Sequence, residues 1–327
     1  MQRRWSTFII ALAALLAICG DKLPAAAGSP GTPDASGRPF RMAFSSNMFT
    51  EVNENDAKAS MKLWMNTVAQ ARQVPLDPDP TIYSDVAAID RSLRINLPDG
   101  IGLTTEEYWL LSKAFNFDRV VVAVNNGHIG EEYVVLAHRD RGILDIEGLR
   151  GRSLLVFSSP RMSLAMLWFD TLLLQKGFAP AAEHVSRVTC FSKPSRVVLP
   201  VFFLQTDACI ITRRHFETMS ELNPQIGQKL RVLASSPGLV PSMFAFLAEN
   251  PSPHRDRVLM EMRRLSESPA GQQLLTLLQA DSIEERPVSI VDKSLELVST
   301  YNRLCAARKD PPKTGARSAA TEYRGVK

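Results

Sequence analysis

The chain has 327 residues, of which 45% are apolar and 22% charged, and a formal charge of +4. That length allows one large core or two lobes. Arg3 and Arg4 carry +2 of the charge and residues 306–327 hold six basic against two acidic side chains, so the body between is about −2 and lacks the clustered basic surface that nucleic acid requires.

An apolar run from Phe8 to Ile18 follows the two arginines. Eleven residues are about half of a membrane-crossing helix, so residues 1–27 read as a signal peptide. Ala25 and Ala27 set the small-x-small spacing for cleavage after Ala27, and Cys19 opens the alternative of a lipid-modified N-terminus. Removal of the leader leaves Cys190, Cys209 and Cys305, too few for a disulfide scaffold. A Cys190–Cys209 bond and three buried thiols both stay open.

Residues 28–39 form a Pro-, Gly- and Ser-rich lead-in. Order is expected from the alternating strand Phe40–Phe44, followed by the polar turn Ser45-Ser46-Asn47. Asn55 or Asp56 caps a helix in which Met61, Met65, Val68 and Arg72 share a face with Trp64. Ile82, Val86, Ile89 and Leu93 predict a second amphipathic helix, Asn96–Gly102 a turn, and Thr104 or Thr105 the cap of a helix over 106–115 with Leu110, Leu111, Ala114 and Phe115 inward. Val120–Val124 and Tyr133–Ala137 are apolar runs of the length of strands buried on both faces.

Ser153–Phe157 reads as a strand, Ser158–Ser163 as a polar turn and 164–175 as a helix ending at Gly177. A helix near Lys193-Pro194-Ser195, strands at Ala208–Thr212 and Leu230–Leu233, and helices near 254–267, 270–280 and 292–305 complete the pattern. The tail 306–327 has no periodicity and reads as disordered. Strands alternating with helices indicate α/β layers with mainly parallel sheets.

Two strand–turn–helix units carry the candidate site. A helix start leaves unpaired N–H groups, so the turn Ser158, Ser159, Arg161, Met162 and Ser163 is a candidate oxyanion receptor, with Arg161 adding charge if it points inward. Its other reading is a helix cap with a solvated arginine. Ser45, Ser46 and Asn47 occupy the corresponding place after the first strand. Thr104, Thr105 and Glu106 follow the same logic, although Glu106 repels an anion and favours a ligand that also carries an amine or hydroxyl. Phe44, Phe49 and Tyr108 sit where cavity-lining side chains are expected. No nucleophile–base pair, metal-ligand spacing or phosphate-binding glycine loop is found, so no enzyme activity, cofactor or metal is expected.

Three segments resemble one family: Arg41-Met42-Ala43-Phe44, Glu132 to Asp140, and Ile146-Glu147-Gly148-Leu149-Arg150-Gly151-Arg152-Ser153, joined by the Asp207-Ala208 pair. Over residues 40–305 the chain is similar to the periplasmic phosphate/phosphonate-type solute-binding proteins of ABC transporters. The resemblance implies a type 2 periplasmic binding fold with residues 40–133 and 235–305 in one lobe and 134–234 in the other. It implies periplasmic location and a small polar or anionic ligand closed between lobes, with Asp207 among the site residues. It further implies a monomer delivering to an ABC permease, with a periplasmic sensor partner as the alternative. The family's Ser-Thr-Ser-Gly-type run is replaced here, with Met162 and Leu164 adding bulk, which sets phosphonate itself in question.

Overall fold

The computed structural model describes residues 38–49, 53–249 and 251–308. The signal peptide, the Cys19 alternative, most of the lead-in and the tail from residue 309 lie outside them. Among the described residues no helix is long and apolar enough to cross a membrane.

The first segment comprises β1 (Met42–Ser45), α1 (Glu54–Arg72), β2 (Thr81–Tyr83), α2 (Val86–Ile95), β3 (Gly100–Thr104) and α3 (Thr105–Leu111). It continues through β4 (Phe117–Asn125) and the short β5 (His128–Ile129). The chain then builds β6 (Tyr133–His138), β7 (Ser153–Phe157), α4 (Ala165–Gln175), α5 (Ala181–His184), β8 (Arg187–Phe191) and α6 (Pro194–Phe202). Next come β9 (Ala208–Thr212), α7 (Arg213–Leu222), α8 (Pro224–Lys229) and β10 (Leu230–Ser235). It finishes with β11 (Ser242–Leu247), α9 (Arg255–Arg263), α10 (Pro269–Leu277), β12 (Ser282–Arg286) and α11 (Asp292–Ala307).

The strands form two sheets, one ordered β12-β4-β11-β3-β1-β2 with β5 beside β4, the other β10-β6-β9-β7-β8. Helices flank both, giving the expected two-lobed α/β fold. The sheets are mixed, however, rather than mainly parallel. In the first, β1 is parallel to β2 and β3 whereas β11 is antiparallel to β3 and β4; in the second, β7 is parallel to β8 and β9 whereas β6 is antiparallel to β9 and β10. The cause is the double crossing. β6 is the first strand laid down after the chain leaves one sheet and β11 the first after it returns, and each inserts against its neighbours.

Alternation along the strands sorts side chains to two faces of the first sheet. Met42, Val121, Phe244 and Phe246 pack with Met61, Trp64 and Met65 of α1. Ala43, Ile101, Leu103, Val120, Val122 and Ala245 pack with Ile89, Tyr108 and Leu111 of α2 and α3. Gly100 and Gly102 fall on the first of these faces. A Cβ on Gly102 would lie 2.6 Å from Phe44 and 2.7 Å from the Met48 sulfur, and one on Gly100 2.3 Å from Phe244. The end of the stretch expected as a turn, from Gly100 onward, is therefore a fully buried strand whose glycines make room for aromatic and thioether neighbours.

Other boundaries also differ from the sequence reading. Asn53 rather than Asn55 or Asp56 caps α1, accepting from the Asn55 N–H at 2.8 Å. Ile82 belongs to β2, and Asp85 starts α2. Leu110 is exposed because α3 turns Thr105, Glu107, Tyr108 and Leu111 inward instead, and Ala114 is exposed beyond the end of that helix. The C-terminal region is not wholly helical, since β12 pairs with β4. Cys190 and Cys209 lie on β8 and β9, on either side of β7, about 10 Å apart at sheet spacing; that exceeds disulfide reach, and both thiols are free.

The last helix packs across both halves. α11 lies against α4 and α3. Val298 joins the second sheet's core, while Trp109 of α3 donates to the Ser299 hydroxyl at 2.8 Å. Val298→Ala should lower unfolding free energy by about 2 kcal/mol in urea titration; a loss under about 0.5 kcal/mol would show that α11 does not seal the second core.

Candidate functional site

The candidate site lies where β1, β3 and β7 end, at the carboxyl ends of parallel strands, where open α/β sheets place their ligands. Two 3-10 turns follow β1 and β7, Ser46–Phe49 and Pro160–Met162, and they lie against each other. The sheets connect beside them. Glu131 and Leu239 exchange backbone hydrogen bonds at 2.7 and 2.9 Å where the two crossing segments pass. Tyr133 sends its hydroxyl to the Arg161 carbonyl at 2.8 Å and thereby pins the second turn. Burial pushes that phenol well above its ordinary titration range.

On the first lobe the expected donors converge, but on a protein side chain. The Glu107 carboxylate accepts from Ser45 Oγ at 2.6 Å, Asn47 Nδ2 at 2.8 Å and the Thr104 N–H at 2.9 Å. Thr104 returns a capping bond to the Glu107 N–H, completing a capping box at the start of α3. Sequence reading named Ser45, Asn47 and Thr104 and passed over Glu107. The Thr-x-x-Glu spacing was the available signal, and it announced a cap without revealing that the carboxylate also reaches β1.

Glu106, the preceding acid, is half-buried. Desolvation, reinforced by the Glu107 charge, lifts its carboxyl from the ordinary 4.5 to about 7. Thr105 turns inward, its hydroxyl donating to the Val240 carbonyl at 2.5 Å. Ser46 bonds the Ser84 carbonyl at 3.4 Å. Tyr108 is a core residue whose ring is tilted against that of Phe117, ring centroids 5.0 Å apart, and it packs on the α2–α3 face of the first sheet.

The second-lobe turn is not the open receptor that its serines suggest. Proline at 160 has no N–H, and the N–H groups of Met162 and Ser163 bond back to Ser159 and Pro160. Neither Ser159 nor Ser163 caps the helix, which begins only at Ala165 with Leu164 before it. Ser163 bonds the Pro241 carbonyl at 3.3 Å, Ser158 follows the end of β7, and Met162 is buried in the second core. Arg161 does point inward. It is 7% exposed and forms an ion pair with the 5%-exposed Glu131, while its Nη1 donates to the Gln279 carbonyl at 3.2 Å. Among the described residues its Nη2 has no hydrogen-bond partner, and neither has the buried Ser159 hydroxyl.

Asp207 is misplaced as a ligand contact. It precedes β9 and accepts from the Ser153 N–H and hydroxyl at the start of β7, the opposite end from the turn. Burial opposes its ionisation, but these bonds and the nearby Arg141 and Arg152 hold its carboxyl below the usual range. Arg214 is a contact that sequence reading missed. From α7 it bonds the Asn125 side chain, and its carbonyl at 2.8 Å, on the first sheet. Phe44 and Phe49 line an apolar cavity on the α1 face of that sheet.

A family model of the periplasmic substrate-binding protein of phosphonate ABC transporters matches residues 48–286. This chain belongs to that family. The members are periplasmic transporter subunits that bind a small solute and work with an ABC permease. Among solved structures, a binding-protein component of a phosphonate ABC transporter from Pseudomonas aeruginosa superposes with TM-score 0.52 at 14% identity, covering 88% of this chain and 93% of that one. A Xanthomonas citri protein solved with ATP gives 0.55 at 14% identity over 81% and 98%. PhnD1 from Prochlorococcus marinus, in complex with methylphosphonate, gives 0.51 at 12% identity over 80% and 98%. At such identities the fold is what these proteins share. No curated protein matches the chain.

For a phosphonate-type binding protein, a first-lobe donor set closed on its own carboxylate is testable. Glu107→Ala leaves three donors without an acceptor and should cost about 3 kcal/mol of stability. Millimolar acetate or formate should return part of it, read as a thermal shift absent in the wild type; an identical shift in both proteins would remove Glu107 from the donor set. Glu106 predicts a pH dependence. Folding raises its pKa, so the folded state keeps a proton that the unfolded chain has released between about pH 4.5 and 7, and stability falls as pH rises across that window. Glu106→Gln should flatten this segment of the stability profile measured by urea denaturation.

Proposed function

We propose that this phosphonate-family protein captures a small organic anion of low charge between its lobes and hands it to an ABC permease. Two unpartnered donors on one turn, Ser159 Oγ and Arg161 Nη2, carry the reading. Buried polar groups almost always find partners, and an exception calls for a ligand or water. Both stand on the second-lobe turn that meets the first-lobe turn, where one solute can touch the two halves together and favour the closed arrangement.

Charge supports a monoanionic head over a dianionic one. Glu107 and Glu131 bring two carboxylates near the turns, balanced by Arg161 and Arg214, with Glu106 largely protonated below about pH 7. The methylphosphonate bound to PhnD1 makes alkylphosphonates the first heads to test. We place the hinge at residues 130–132 and 236–241, assign residues 40–133 and 235–305 to one lobe and 134–234 to the other, and take the protein as a monomer that binds without turnover. A leader over residues 1–27 fits the periplasmic role, with Cys19 as a lesser site of lipid attachment.

Titration calorimetry with methylphosphonate, methanesulfonate, acetate and butyrate tests the reading. At least one should bind, and Ser159→Ala should weaken it about tenfold, the value of one hydrogen bond to a charged group. Binding by none of them, or affinity unchanged in both Ser159→Ala and Arg161→Lys, would falsify the assignment of this turn.

A further inference from the structure

Behind the cleft lies a cavity of about 90 Å³. Its wall includes Met42, Met48, Met61, Met65 and Met262, all packed on the α1 face of the first sheet. Register explains the shape. Val121 and Ala123 alternate onto this face of β4, and the missing side chains of Gly100 and Gly102 leave the space that Phe44, Met48 and Phe244 share. At one end the wall changes character, for Pro160 and Arg161 of the second-lobe turn complete it beside Gly130 and Val240 of the crossing segments.

We propose that this cavity receives the alkyl chain of the ligand, whose anionic head stands at the Arg161 guanidinium. The proposal rests on the capture reading above and adds a substrate class, organic acids with a short apolar tail. Three observations converge on it. Apolar cavities stay dry and accept hydrocarbon. At about 90 Å³ the cavity is several times the space that one water needs, so it has room for a short alkyl chain. Arg161 supplies a buried donor without a partner in that same wall. Methionine lining adds tolerance, because unbranched thioether side chains repack around chains of differing length.

A series of alkyl acids decides the matter, using the folded full-length mature chain and methyl, propyl, butyl and hexyl members of the phosphonates, sulfonates and carboxylates. Affinity should rise about three- to fourfold per methylene up to butyl and then level off. Ala123→Leu, which fills the cavity from β4, should abolish the gain while leaving the methyl compound's affinity in place. In the wild type, with no substitution to disturb folding, 13C-labelled methionine methyl signals of Met61 and Met65 should shift with the butyl compound and not with the methyl one. Chain-length-independent affinity in any head group that binds, or unmoved methionine signals, overturns the tail site and leaves solute capture standing. Absence of binding across all three head groups sinks both.

Discussion

The contact on which the site depends is the buried pair of Arg161 and Glu131. Ionised groups this deeply enclosed are tolerated only when each satisfies the other, and removal of one partner typically costs 3–5 kcal/mol, roughly. Glu131 sits at the crossing between sheets, its backbone bonded to Leu239 of the returning strand. Arg161 belongs to the turn after β7 and also reaches Gln279 after α10. One guanidinium therefore registers the second-lobe turn against both the crossing segments and the first lobe. The geometry also leaves Nη2 spare, since Nε faces Glu131 and Nη1 faces a carbonyl. The nitrogens that hold the fold and the one left free are thus different atoms of the same side chain.

A helix start or polar turn attracts anions only while its N–H groups and hydroxyls are unspent. In the first lobe Glu107 spends three of them. In the second, proline deletes one N–H and a 3-10 turn consumes two more. What remains is a small set of donors rather than a full cradle. That small set is why the proposal above favours a head of low charge, since a dianion needs several donors to replace its hydration. The family resemblance thus extends to architecture while the first-lobe chemistry has turned inward.

Much of this was legible in the chain, and the failures share a cause. Val120–Val124 and Tyr133–Ala137 stood out because unbroken apolar runs of that length match strands covered on both faces. The inward direction of Arg161 was left open, because sequence cannot show that Glu131, thirty positions away, waits across the crossing. β3 was hidden by Gly100 and Gly102, which weaken any strand signal; their reason lies in Phe44, Met48 and Phe244, on other strands and turns. Glu107 was passed over because its Thr-x-x-Glu spacing is local, whereas its bonds to Ser45 and Asn47 span about sixty residues. Asp207 matched a family pair in sequence, yet the parallel register of β7 and β9 puts it at the wrong end of the sheet.

The cavity has an energetic side that bears on closure. Unfilled apolar volume costs roughly 24 cal/mol per Å³, so about 90 Å³ amounts to roughly 2 kcal/mol left unrealised in the first core. Whatever fills that space recovers part of this free energy. Because Pro160 and Arg161 complete the wall, the recovery is available only while the second-lobe turn stays seated. A tail bound there has a stronger hold on the closed state than on an open one, and that difference is the only quantity by which a ligand shifts a conformational equilibrium. The head-group contacts proposed at Ser159 and Arg161 would act in the same direction. Stability of the first lobe, seating of the turn and retention of the solute are in this arrangement one coupled equilibrium.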